Sequence, residues 1–95
     1  MRTKAKDSLE LKIIAESEFP SVPIMFGANH NPVILIFEKK QGQWLLRVKL
    51  PWGASYEEPF SNEREARAYY NRYSRALSKG ARIFIDDPRF PQILG

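Results

Sequence analysis

The chain has no cysteine among its 95 residues. That absence removes disulfides, thiol nucleophiles and thiolate metal sites in one step, and it fits a reducing compartment. No apolar run approaches the roughly 20 residues needed to cross a bilayer, and residues 1–7 lack the hydrophobic core of a secretion signal. The expectation is a soluble, cytoplasmic protein without membrane insertion. Histidine occurs once, at His30, with no serine or carboxylate pattern around it to make a catalytic base. The five glycines, Gly27, Gly42, Gly53, Gly80 and Gly95, stand apart from one another, so phosphate loops, dinucleotide fingerprints and nucleophile elbows are absent.

Carboxylate pairs are present but poorly placed for chemistry. Glu57 and Glu58 adjoin in a strand-like segment, where neighbours point to opposite faces and cannot act on one bond. Asp86 and Asp87, followed by Pro88, lack the spaced acidic loop of a calcium site and read as a turn that stops a strand. No catalytic residue, no metal site and no cofactor is expected, and the chain reads as non-enzymatic.

What is there begins with residues 61–79. At about 100° per residue, Ala66, Tyr69, Tyr70, Tyr73, Ala76 and Leu77 share one side, while Arg64, Arg67, Asn71, Arg72, Arg75 and Lys79 share the other. The spacing predicts a helix that buries a tyrosine stripe and holds a row of cations outward. Ser61 or Asn62 can cap its first turn, Asn62 and Glu65 have capping-box spacing, and Gly80 can close its end in the left-handed conformation.

The other periodic segments predict strands. Leu9, Leu11 and Ile13 alternate with polar residues from Ser8 onward and should form a half-buried strand with those three inward. Residues 19–32 carry Pro20, Pro23, Gly27 and Pro32, and a long loop with a short extended piece over 22–26 is expected there. Residues 33–37 are apolar on both faces, as a central strand would be, and residues 44–50 alternate, with Trp44, Leu46, Val48 and Leu50 opposite Arg47 and Lys49. Lys40, Gln41, Gly42 and Gln43 supply the turn of a hairpin. Residues 56–60 make a short strand that Pro59 confines to an edge, residues 82–85 another, and the apolar tail 89–95 should pack back on the core or on a partner.

These elements predict one α+β domain over residues 8–95, preceded by a basic arm over 1–7: an antiparallel sheet of about four to five strands with one long helix packed on one face. Fifteen Lys and Arg against eleven Asp and Glu give a net charge of +4, which favours polyanionic or acidic partners.

The span 44–83 resembles a WGR domain in a basic strand, then Trp52-Gly53, a short strand ending in Phe60, a helix opening with Glu65-Ala66 and an exit at Lys79-Gly80. It departs at Ala54, where that family has its arginine, and in the glycines that follow. The resemblance implies nucleic-acid binding by the sheet and helix. Together with the cationic row it directs attention to Arg64, Arg67, Arg72, Arg75 and Lys79, joined by Arg47, Lys49 and a stacking Trp52. The expected partner is DNA or RNA. The alternative is a regulatory or accessory subunit whose tail or proline-rich loop docks on an acidic or apolar protein.

Overall fold

The computed structural model describes residues 10–27 and 29–94. The basic arm expected over residues 1–7, and Leu9 in the first strand, lie outside that range. Four strands form one antiparallel sheet in the order β1-β2-β3-β4: β1 (Leu11–Pro23), β2 (His30–Lys40), β3 (Gln43–Lys49) and β4 (Ser55–Phe60). Helix α1 (Glu63–Ser78) crosses one face, and β5 (Arg82–Phe84) pairs with β6 (Gln92–Leu94) in a separate two-stranded ribbon. The α+β architecture expected from the sequence is therefore the one observed, with residues 82–84 in the ribbon rather than in the main sheet.

The hairpin is built as its turn residues require. Gln41 and Gly42 both take positive φ, 51° and 79°, the geometry whose twist suits a two-residue connection between antiparallel strands. Register then puts Val33, Leu35 and Phe37 of β2 and Leu46 and Val48 of β3 on the face under the helix, where all five are fully buried. The neighbours of these residues along each strand face the other way. Ile36 and Leu45 stand on that uncovered face, yet both are buried. Each lies directly opposite a member of an ion-pair network, Ile36 across from Arg47 and Leu45 across from Glu38.

Strand β1 departs from the expected reading in length and phase. It runs through Pro20 to Pro23, and β2 begins at His30, so both ends of the long loop expected over 19–32 are strand. An irregularity between Ile13 and Ala15 inserts Ile14, and the strand's inward side changes at that point. Ala15 and Phe19 pack against the core, whereas Leu11 and Ile13, expected inward, are each 50% exposed. Strict alternation predicts the wrong face because one bulge residue shifts the period by one.

Helix α1 follows its sequence pattern closely. The Asn62 side chain accepts from Glu65 N–H at 2.9 Å. At the other end Gly80, with φ of 89°, donates to Leu77 O, and Ala81 donates to Ala76 O, the paired bonds of a Schellman motif. Ala66, Tyr70, Tyr73 and Leu77 are buried, and Tyr69 and Ala76 half-buried. Tyr70 lies tilted against Phe37, with ring centres 6.1 Å apart, and shares a hydrogen bond with Ser17 of β1 at 2.5 Å.

The tail closes the other flank of the helix. Tyr73 donates to Pro91 O at 2.9 Å, Phe90 packs edge-on against Tyr73, and Pro91 is fully buried. Because the tail completes this chain's own core, it is not a free docking segment, and removing residues 90–95 would strip a wall from Tyr73.

Candidate nucleic-acid interface

A 16-residue helix with one buried stripe leaves its remaining side chains in solvent, and the cations expected there, Arg64, Arg67, Arg72, Arg75 and Lys79, are all exposed. They do not form one row. Arg72, Arg75 and Lys79 follow at i, i+3 and i+7 and rise along the C-terminal half, together with Arg82 of β5. These four side chains line a cleft of about 440 Å³, with Ala76, Gly80, Ala81 and Leu94 completing its walls. No carboxylate lines it among the described residues. None of the four cations has an ion-pair partner among those residues.

Two of the four are held in place by neutral partners. The Arg72 guanidinium lies 5.4 Å from the centre of the Tyr69 ring. Arg82 Nη1 donates to the carbonyls of Met25 and Gly27, at 2.9 and 2.7 Å. Neither contact cancels charge, so the cleft keeps the field of four cations at the helix end whose dipole favours positive side chains. Burial pushes the Tyr69 hydroxyl above its ordinary value, helped by nearby Glu58 and opposed by Arg72. The ring therefore stays neutral beneath its cation.

The remaining candidates lie elsewhere. Arg64 stands in the first turn beside Glu63 and Glu65. Arg67 sits on the flank towards β2, with its guanidinium 5.3 Å from the Phe37 ring centre, and is paired with Glu63 at 2.8 Å. Arg47 and Lys49 belong to the sheet face opposite the helix, so the expectation that they join the helix cations on one surface is not met. Arg47 is committed further: its Nε and Nη2 both donate to Glu38, at 2.9 and 2.5 Å, and it lies 3.2 Å from Glu57, which also meets Lys40 at 3.4 Å. Glu38 is 1% exposed, so Arg47 serves as the counter-ion of a buried carboxylate.

Lys49 lies beside Glu18 on a different cleft, of about 460 Å³, walled by Phe19, Pro20, Pro32, Ile34, Leu50 and Pro51. Trp52, 57% exposed in the turn after β3, lines neither cleft.

Sequence reasoning missed Arg82 and Phe26. Arg82 is adjacent to buried Ile83 in a strand of only three residues, too short a pattern to assign a face. Phe26, 76% exposed, ends the short extended piece expected over 22–26, where no pattern singles out one side chain as a contact.

Among the described residues no helix is long and apolar enough to cross a membrane. No family model, curated protein or solved structure matches this chain.

Proposed function

We propose that this chain is a non-enzymatic binding module that holds nucleic acid through the phosphates, using Arg72, Arg75, Lys79 and Arg82. The observation that carries the reading is the convergence of these four cations on one cleft without a carboxylate among its described lining residues. Phosphate oxygens would replace water there, and each neutralised phosphate releases counterions. Arginine supplies most of the site, and its fork of donors suits a phosphate better than the single ammonium of lysine does.

Salt dependence tests it. If three to four phosphates are engaged, the logarithm of the association constant should fall against log salt with a slope of about −2 to −3 for single strands. Arg75→Gln should reduce the magnitude of that slope by about 0.7. Lys49→Gln should leave the slope unchanged, because Lys49 is exposed on the sheet face opposite the helix. Binding that ignores salt, or a slope moved by Lys49 and not by Arg75, would refute the assignment.

A second reading, a protein-interaction subunit, draws support from the apolar cleft between Pro20, Pro32 and Pro51. An apolar segment of a partner would fill it, with Glu18 and Lys49 at its rim. Ile34→Asp in that cleft should then abolish partner recovery, whereas Arg75→Gln should not.

A further inference from the structure

Arg82 links the cationic cleft to an aromatic pair outside it. Arg82 and Phe84 flank Ile83 in β5, and since Ile83 is fully buried the two share the outward side of the strand. Phe84 meets Phe26 at 5.4 Å between ring centres. Phe26 is 76% exposed, the barest of the large apolar side chains among the described residues. Its position is set by the chain around it. Met25 N–H donates to Ile83 O at 2.7 Å, and Arg82 grips the carbonyls of Met25 and Gly27 on either side of it. Arg82 is therefore both one of the residues lining the cationic cleft and the anchor of the backbone that presents Phe26. Of the two acidic residues that follow β5, Asp87 accepts from the Tyr56 hydroxyl at 2.9 Å and Asp86 lies 4.0 Å from Arg89.

An exposed phenylalanine beside cations that have no ion-pair partner among the described residues suits a ligand with both a charged backbone and an open π-face. In a duplex the base faces are covered by their neighbours, so only phosphates would be gained there. An unpaired base has a free face, and stacking it on an aromatic ring is worth roughly 5- to 150-fold in affinity. We infer that the cleft takes single-stranded nucleic acid, with an unpaired base lying on Phe26 while Arg72, Arg75, Lys79 and Arg82 hold the flanking phosphates. This rests on the phosphate-binding reading above and names its ligand class.

The experiment compares a fluorescein-labelled single-stranded oligonucleotide with the duplex of the same sequence, by anisotropy, on the full chain at two salt concentrations. The single strand should bind at least fivefold more tightly than the duplex. Phe26→Ala should weaken single-strand binding by roughly 5-fold or more with the salt slope unchanged, and Phe26→Trp should retain it. Phe26 is exposed, so both variants should melt at the wild-type temperature. Equal affinity for duplex, or a Phe26→Ala effect below twofold with salt-dependent binding intact, overturns the single-strand assignment alone. Loss of salt dependence for both ligands overturns the phosphate reading, and this inference with it.

Discussion

Removing the guanidinium of Arg47 should destabilise the protein far more than removing the carboxylate it serves. Glu38 is 1% exposed and takes two donors from Arg47, whose side chain is 21% exposed. Arg47→Ala leaves a buried anion without its counter-ion, at a cost of about 3–5 kcal/mol. Glu38→Leu leaves Arg47 with water on one side and Glu57 still 3.2 Å away, so it should cost about 1 kcal/mol or less. The double variant, with both charges gone and Leu45 keeping an apolar neighbour across the strand, should recover about 2–3 kcal/mol relative to the sum of the singles. Urea unfolding reads this directly. With a slope of about 1–1.5 kcal/mol per molar for a chain of this size, the midpoint should drop by about 2–5 M in Arg47→Ala and by under about 1 M in Glu38→Leu. Equal losses, or additive ones, would show that Glu38 is not an enclosed charge and would refute the reasoning.

Tyr73 predicts an alkaline limit to stability. Burial, with a smaller contribution from Tyr69, raises its hydroxyl well above the ordinary 10.0. Above that pH the unfolded chain releases the proton and the native one keeps it. Stability is therefore fully present below about pH 10 and falls as pH rises towards the native value, by up to about 1.4 kcal/mol per pH unit. Tyr73→Phe should lose about 1–2 kcal/mol at pH 7, because Pro91 O is left unpaired, and should decline less steeply in alkali. Urea midpoints at pH 8 and above 10 check this; a gap between the two proteins that does not narrow counts against it. Gly80→Ala meets no atom within 4 Å, so its penalty is that of the backbone at φ of 89° alone, about 1–2 kcal/mol. Calorimetry should show a drop of about 4–8 °C for each kcal/mol, and an unchanged melting temperature would mean that the helix does not end in the left-handed conformation described.

Local chemistry was legible in the sequence wherever a residue's role depends on near neighbours along the chain. The 3.6-residue period set the buried stripe of α1, the Asn62 and Glu65 spacing set its start, Gly80 set its stop, and Gln41-Gly42 set the hairpin turn. These follow from backbone geometry, which reaches only a few residues. The outward exposure of Arg72, Arg75 and Lys79 was readable for the same reason.

Tertiary structure decided what lies across from what. The bulge at Ile14 turned Leu11 and Ile13 out to solvent, since alternation carries no marker for an inserted residue. Arg47 looked like a spare cation along the chain and became the counter-ion of Glu38, nine residues away and brought adjacent by the hairpin. Arg82 reached the helix cations only because the Schellman turn reversed the chain and laid β5 beside the loop that carries Phe26. Sequence period fixes the side on which a residue points, but its partners are chosen by contacts between segments far apart in the chain, and those exist only once the sheet and helix have closed on each other.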